Sequence, residues 1–174
     1  MSQNDQKISN RFLDYAKKAE LFDYGPFKGS MIFRPYAYAI WEKCQANLDA
    51  EIKDQGCDNI YFPCLIPENL LAQEKEHVEG FSPELAVVTH GGGEELSEKL
   101  AVRPTSETLM YHYFSKWISS WRDLPFKVNQ WSNVIRWELR PFPFLRTSEF
   151  LWQEAHTVHD SYEGARDQVY NSLK

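Results

Sequence analysis

Charged and aromatic side chains recur at every second position in the last third of the chain. Arg136 and Glu138 flank Trp137, so on an extended strand both charged side chains point to the same face. After a proline-containing turn, one parity of the returning segment adds Arg146, Phe150, Trp152, Glu154 and His156 to that face. Guanidinium groups bind phosphate oxygens bidentately, and an aromatic face can stack on a base. The pattern predicts a nucleotide-binding surface without a P-loop; a solvated face of cross-strand ion pairs is the alternative when Arg-x-Glu is taken alone.

The composition narrows the class of protein. With 174 residues, 43% of them hydrophobic and 15% aromatic, the chain is long enough and apolar enough for one globular domain. Its net charge of −6 argues against a broad surface that binds nucleic-acid backbones. If RNA is a partner, most of the binding affinity must come from other parts of the protein. No apolar run approaches the roughly 18–20 residues that cross a bilayer, and no secretion signal is visible. We expect a cytoplasmic protein without membrane contact.

Cysteines and histidines are the side chains that could hold a metal. Cys44, Cys57 and Cys64 lack CxxC spacing, so we expect reduced thiols and no structural zinc. His156 and His159 would point to opposite faces of a strand, which separates them as ligands. We therefore predict no metal held by side chains.

Hydrophobic periodicity predicts interspersed helices and strands. Helices are expected at 9–22, 35–55, 67–80 and 106–121, followed by a short polar helical segment within 160–174. Strands are expected at 31–33, 60–66, 85–89, 100–103, 126–139 and 145–158. Pro63 must mark an edge, a bulge or a strand end, because a central strand does not tolerate proline. The hairpins favour an α+β fold with a mainly antiparallel sheet flanked by helices.

The motifs, taken together, are similar to those of a known family. Segment 128–158, with Arg-x-Glu before its turn and Arg-x-x-x-Phe after it, resembles motif 2 of the class II aminoacyl-tRNA synthetases. The helix and strand of 35–66 look like motif 1, which in that family builds the dimer interface. Residues 103–107, Arg-Pro-Thr-Ser-Glu, resemble the Thr-x-Glu loop of the prolyl enzymes. The resemblance covers about residues 9–160 and is to the archaeal/eukaryotic type.

The resemblance implies an ATP-dependent ligase. Residues 1–174 look like the N-terminal part of a prolyl-tRNA synthetase catalytic domain, which activates proline to prolyl-adenylate and passes it to tRNA(Pro). Arg136 is implied as the catalytic residue, bridging the amino-acid carboxylate and the ATP α-phosphate. Glu138 would contact the adenine side and Arg146 the terminal phosphates. Phe150 would stack on adenine, with Thr147 in the same ATP-binding set, and Mg²⁺ would accompany ATP.

The same resemblance implies a proline pocket. Thr105 and Glu107 would receive the ring nitrogen, because a prolinium carries two N–H donors and a positive charge that a carboxylate satisfies. Phe81 and Glu84 resemble the family's pocket-flanking Phe-x-Pro-Glu, and Trp152 would form the pocket wall. Glu107 could instead be an acidic residue favoured at a helix N-terminus, and the two aromatics ordinary core residues.

The chain departs from the class II pattern after His159, where neither a Gly-rich motif 3 nor an anticodon-binding domain follows. The resemblance therefore implies a half-built adenine site, with tRNA contacts mainly outside these residues. A non-catalytic binding or interaction module with a synthetase-like half-domain is the alternative function. A threonyl enzyme would need zinc-ligand cysteine and histidine positions, which are not found. For the full-length protein we expect a homodimer through 35–66.

Overall fold

A computed structural model describes residues 3–75 and 85–174, which form two compact units. The first unit contains the chain up to residue 50 together with 137–149. The second contains 51–136 and 150–174. Among the described helices, none is long and apolar enough to span a bilayer.

The first unit is built from helices and a two-stranded ladder. Its elements are α1 (Gln3–Lys18), β1 (Phe22–Tyr24), β2 (Met31–Phe33) and the start of α2 (Pro35–Asp54), with β1 and β2 antiparallel. Proline suits the first turn of α2 because its missing N–H would find no helical partner there. Gly56, with a φ of 79°, ends the turn that follows the helix. The predicted bounds of α2 are therefore confirmed.

Phe144 organises the aromatic packing of the first unit. It adopts a φ of 64°, a left-handed conformation that is uncommon for a bulky residue. Its ring makes edge-to-face contacts with Phe12, Phe22 and Phe33 at centroid distances of 6.1, 5.3 and 5.7 Å. The proline-containing turn is thus held by the packing of one half-buried aromatic ring.

The second unit carries two three-stranded sheets and three helices. One sheet has the order β4-β6-β5 and is antiparallel; the other has the order β3-β7-β8. The strands are β3 (Asp58–Asn59), β4 (Leu65–Pro67), β5 (Ala86–Gly91), β6 (Glu94–Val102), β7 (Phe126–Ile135) and β8 (Glu149–Val158). The helices are α3 (Glu68–Lys75), α4 (Glu107–Trp117) and α5 (Tyr162–Ser172). The short β3–β7 ladder is parallel.

The core of this unit lies under α4. Leu109, Met110 and Phe114 of that helix are buried, and they pack with residues of the strands, of α3 and of the segment before β4: Phe62, Ile66, Leu71, Ala101 and Val128. Met110 and Phe114 are four positions apart and share one face of α4, with Leu109 beside them, so one side of the helix covers this core. The predicted α+β fold with mostly antiparallel strands is confirmed.

Several predicted bounds are wrong, each for a physical reason. The strand expected at 60–66 is a strand only from Leu65: the Ile60 N–H still donates to the Asn129 carbonyl of β7, but side chains bind both backbone polar groups of Phe62. The helix expected at 106–121 ends at Trp117, where Ile118 turns to an extended conformation and a short 3-10 helix follows. The strands around the turn end at Ile135 and resume at Glu149, so the connection is longer than predicted. The part of helix 67–80 beyond Lys75 lies outside the described residues.

Candidate functional site

The loop between β6 and α4 is fastened to both β7 and β8. The Ile135 N–H donates to the Arg103 carbonyl at 3.0 Å, and Arg136 Nε donates to the Pro104 carbonyl at 3.0 Å. The Ser106 N–H donates to Glu154 Oε2 at 3.0 Å. Three hydrogen bonds, from the last residue of β7, from Arg136 directly after it and to Glu154 of β8, hold residues 103–106 in place, as a binding site on a loop requires.

Arg136 lies against two aromatic rings. Its guanidinium carbon is 5.6 Å from the Phe150 ring centroid and 5.2 Å from that of Trp152. The two rings meet edge to face at 5.9 Å, and Trp152 Nε1 donates to Ser132 Oγ at 3.3 Å. Cation–π contacts of this kind orient a guanidinium while its N–H groups stay available to an anion. The structure therefore brings together three of the residues that sequence parity placed on one face.

Glu154 is the buried centre of the site. Its side chain is 5% exposed. It accepts hydrogen bonds from the Ser106 N–H at 3.0 Å, Gln130 Nε2 at 3.0 Å and Thr105 Oγ1 at 3.3 Å, and lies 3.3 Å from His156 Nε2. Burial, the largest effect, raises its pKa, but hydrogen bonds from His156 and Ser106 and the His156 charge outweigh it and set the pKa below its ordinary value. The carboxylate is therefore ionised at neutral pH.

The two residues predicted to hold the proline nitrogen occupy different environments. Thr105 is buried, and its Oγ1 accepts the Glu107 N–H at 3.2 Å. The side chain of Glu107 is exposed in the first turn of α4, where the helix dipole favours a negative charge. Burial raises the pKa of Tyr111 one turn later, and the charge of Glu107 raises it further. Glu107 is thus a carboxylate open to a ligand, whereas Thr105 forms part of the framework.

Three residues predicted to bind ATP belong to the first unit. Glu138 Oε2 lies 3.6 Å from Arg146 Nε, and Glu138 Oε1 accepts the Arg140 N–H at 2.7 Å. Thr147 Oγ1 donates to the Glu149 carbonyl at 2.6 Å and is buried. The side chain of Arg146 is 63% exposed, so its ion pair is weak and can be exchanged for another anion.

A close backbone approach anchors the same turn. The Ser148 N–H donates to the Gly29 carbonyl at 2.9 Å. Gly29 has a φ of 89°, and a Cβ there would collide with the Ser148 side chain. Only glycine meets both requirements without strain.

Some predicted features remain without a described structure. Phe81 and Glu84 lie outside the described residues. Within residues 3–75 and 85–174 no cluster of three His, Cys, Asp or Glu side chains has the geometry to hold a metal. His156 points to Glu154 instead, at 3.3 Å.

Sequence reasoning missed two residues that organise this site. Arg103, 2% exposed, donates to the Phe62 and Asn133 carbonyls at 2.9 and 2.7 Å and to Asn133 Oδ1 at 2.9 Å. Gln130 is fully buried and bonds to Ser106 Oγ at 2.8 Å as well as to Glu154. For Gln130 the available signal was the pair of consecutive polar residues Asn129 and Gln130 between Val128 and Trp131, because buried polar groups are hydrogen-bonded.

Comparison with known proteins assigns the family. Residues 88–174 match the tRNA synthetase class II core domain (G, H, P, S and T). The chain is similar to proline–tRNA ligase 2 of Streptomyces avermitilis, with 61% identity over 90% of this chain and 33% of that protein. It is also similar to proline–tRNA ligase of Chlorobium limicola, with 56% identity over 99% of this chain and 36% of that protein.

A solved structure is similar in both sequence and fold. The prolyl-tRNA synthetase from Cryptosporidium parvum, complexed with halofuginone and AMPPNP, has a TM-score of 0.89 and 47% identity over 95% of this chain and 34% of that one. The chain thus spans about a third of the length of these relatives. The chain belongs to the family of class II aminoacyl-tRNA synthetase core domains and is similar over nearly all its length to proline–tRNA ligases.

Proposed function

We propose that the protein to which this chain belongs is a proline–tRNA ligase. It activates proline with ATP to prolyl-adenylate, releases pyrophosphate, and transfers the prolyl group to tRNA(Pro). One observation carries the proposal: a guanidinium, Arg136, is oriented by the Pro104 carbonyl and two aromatic rings beside the Thr105–Glu107 loop. Arg136 is bonded to the loop that leads into Glu107, an exposed carboxylate, and the two opposite charges suit an amino acid bearing both.

The adenylation step needs positioning and charge neutralisation and no protein nucleophile. The proline carboxylate attacks the α-phosphorus of ATP, a new C–O–P bond forms, and the bond to pyrophosphate breaks. Arg136 binds the carboxylate and an α-phosphate oxygen and neutralises the charge that develops on them. Because Arg136 is held before the substrates arrive, little reorganisation is needed at the moment of reaction.

Proline selection is assigned to the loop and the wall beside it. Glu107 accepts the ring N–H of prolinium, Thr105 sets the position of the Glu107 backbone through its hydroxyl, and Trp152 forms an apolar wall. Phe81 and Glu84 are proposed to flank the pocket. A second carboxylate, Glu154, is fully used by the protein and serves as framework.

ATP is assigned to the motif 2 residues. Phe150 stacks on adenine, Glu138 contacts the adenine side, Arg146 receives the terminal phosphates, and Thr147 completes the set. Support comes from the exposure of Arg146 and from the similar Cryptosporidium parvum structure, which contains AMPPNP. The described residues hold no cluster of three metal ligands, and Mg²⁺ is usually bound through substrate phosphates, waters and one or two carboxylates. We propose that Mg²⁺ arrives with ATP, held by phosphate oxygens and waters.

The partners follow from the same proposal. The full-length protein is a cytoplasmic homodimer through 35–66, and it binds tRNA(Pro) mainly through regions other than these residues. Large apolar side chains are exposed along that segment, among them Tyr36, Tyr38, Ile40, Leu48 and Tyr61. Exposed apolar residues in such number are typical of an interface.

The test is ATP–pyrophosphate exchange by the full-length protein with each of the twenty amino acids. We expect exchange with proline and little with any other. Exchange driven by threonine or another amino acid would replace the substrate assignment. No exchange with any amino acid, from a folded protein that binds tRNA, would favour the non-catalytic binding module instead.

A further inference from the structure

Both backbone polar groups of Phe62 are bound by side chains. Its N–H donates to Gln130 Oε1, and its carbonyl accepts from the Arg103 guanidinium at 2.9 Å. Phe62 itself is buried in the core of its unit. A buried backbone N–H or carbonyl must find a partner, and here the partners are two side chains that also reach the candidate site. The segment before β4 is thus tied to that site by hydrogen bonds.

The side-chain amide of Gln130 connects Phe62 to the candidate site. The residue is 0% exposed. Its amide oxygen accepts from Phe62, while Nε2 donates to Ser106 Oγ at 2.8 Å and to Glu154 Oε1 at 3.0 Å, with Ser132 Oγ at 3.5 Å. The amide therefore uses its acceptor on one side and its donors on the other. Glutamate has the same shape and lacks the donors.

Glu154 links Gln130 to the loop between β6 and α4 by hydrogen bonds. One carboxylate oxygen accepts from Gln130, and the other accepts from the Ser106 N–H and the Thr105 hydroxyl. A carboxylate has a fixed geometry, so orienting Oε1 also orients Oε2. The Thr105 hydroxyl in turn accepts the Glu107 N–H at 3.2 Å. A chain of hydrogen bonds therefore runs from Gln130 to the first turn of α4.

We infer that Gln130 is a positioning residue for amino-acid binding, which acts through Glu154 and Ser106 on the Thr105–Glu107 loop. This inference rests on the proposed function, because the loop is taken there as the proline-binding element. Arg136 donates a hydrogen bond to the Pro104 carbonyl of the same loop. The position of its guanidinium therefore also depends on how the loop is held. Gln130 touches no substrate; it fixes the groups that do.

The test compares Gln130→Glu and Gln130→Met in the full-length protein. Gln130→Met loses the bonds to Ser106 and Glu154, and Gln130→Glu loses the donor to Glu154, so we expect the KM for proline to rise about tenfold to a hundredfold in each, as for a bond to a charged group. The KM for ATP should change far less. In Gln130→Glu a second carboxylate faces Glu154, with His156 and the Arg103 guanidinium as the other charged groups nearby.

The pH dependence of the proline KM in Gln130→Glu separates a positioning role from a purely structural one. Two carboxylates in contact favour a shared proton, which restores one donor. The KM penalty of Gln130→Glu should therefore shrink as the pH falls from 8 to 6, whereas the penalty of Gln130→Met should not. Gln153→Glu is the matched control: it makes the same change on the neighbouring strand, where Gln153 bonds to Asn129 at 2.8 Å. We expect it to leave the proline KM and its pH dependence unchanged.

A second measurement does not depend on which amino acid is bound. Hydrogen exchange of the peptide containing the Ser106 and Glu107 amides, without substrate, should speed up in Gln130→Met and stay as in wild type in Gln153→Glu. Faster exchange with no proline activity in wild type would refute the proposed function and keep the positioning role of Gln130. Unchanged exchange together with unchanged proline KM would overturn the inference. If the Gln130 variants do not fold, Ser106→Ala removes one partner of the same amide and should raise the proline KM severalfold; an unchanged KM there overturns the inference as well.

Discussion

Arg136 and Trp152 lie in contact, with the guanidinium carbon 5.2 Å from the centre of the indole ring. The same guanidinium donates to the Pro104 carbonyl at 3.0 Å. The cation is therefore held by a carbonyl on one side and by aromatic faces on the other, before any ligand is present. A cation that is oriented in advance stabilises developing negative charge at little cost in reorganisation.

Substitution of Arg136 should separate orientation from charge. We expect Arg136→Ala to lower kcat/KM for proline-dependent ATP–pyrophosphate exchange by about a hundredfold to a thousandfold, as for loss of one preorganised donor. Arg136→Lys keeps the charge but loses the planar guanidinium, so its kcat/KM should lie between those of wild type and Arg136→Ala. Arg122→Ala removes another arginine that lies against a tryptophan, at 4.9 Å, and serves as control. Equal activity of Arg136→Ala and Arg122→Ala would remove Arg136 from the mechanism.

The exposed carboxylate of Glu107 should decide amino-acid selection. We expect Glu107→Ala to lower proline activation by about thirtyfold to a thousandfold, because the prolinium loses its charged acceptor. Glu107→Gln keeps an acceptor oxygen and should lose less. Glu95→Gln, on the exposed hairpin, is the control. Activity of Glu107→Ala within threefold of wild type would contradict the assignment.

The turn residues should act on ATP and not on proline. We expect Arg146→Ala to raise the KM for ATP by about tenfold while the KM for proline changes little, because one charged hydrogen bond to phosphate is lost. The loss of its pair with Glu138 should cost less than about 1 kcal/mol of stability, since the Arg146 side chain is exposed and the two atoms are 3.6 Å apart. A proline KM that rises as much as the ATP KM would argue that Arg146 serves the loop rather than the nucleotide.

The exposed ring of Tyr61 offers a test of the dimer. Tyr61 is 69% exposed and lies against the Arg103 guanidinium at 5.4 Å. If 35–66 forms the subunit interface, Tyr61→Glu should place a charge in a desolvated patch and weaken the full-length dimer at least tenfold. Light scattering at micromolar concentration measures the shift to monomer. Tyr162→Glu, on an equally exposed ring outside that segment, should remain dimeric.

Local patterns in the sequence predicted the features that depend on local geometry. Strand parity brought Arg136, Phe150 and Trp152 to one face, because side chains alternate along any strand. Pro35 and Gly56 bounded α2 for equally local reasons, a free first-turn position and a positive φ.

Features that depend on distant partners could not be read in the same way. Which carboxylate would be buried depended on docking of the loop onto β8, so the roles of Glu107 and Glu154 were not separable in the sequence. The strand expected from residue 60 is interrupted at Phe62, whose N–H is bound by the side chain of Gln130, far along the chain. The left-handed conformation of Phe144 could not be predicted from the sequence either. Its φ of 64° is stabilised by packing against three aromatic rings that lie far from it in the chain.

Glu154 links this framework to pH. Its pKa lies below the ordinary value of 4.5 because hydrogen bonds from His156 and Ser106 and the His156 charge outweigh burial. The unfolded chain therefore takes up the proton first as the pH falls. It follows that the stability contributed by the ionised group is fully present above pH 4.5 and is lost as the pH falls through the folded-state pKa.

Glu154→Gln should expose this dependence. At neutral pH the variant replaces one acceptor oxygen by an amide NH₂, which then faces either the Gln130 donor or the Ser106 N–H, so we expect a loss of about 1.5–3 kcal/mol. Below pH 4.5 the unfolded wild-type chain takes up a proton at Glu154 while the folded chain does not, so the gap between the two proteins should narrow with acidification down to the folded-state pKa. Urea midpoints followed by tryptophan fluorescence in the full-length protein, from pH 7 downward, measure the gap. Glu163→Gln, on the exposed first turn of α5, controls for loss of a negative charge. A gap that stays constant with pH would mean that Glu154 acts through packing and not through its charge.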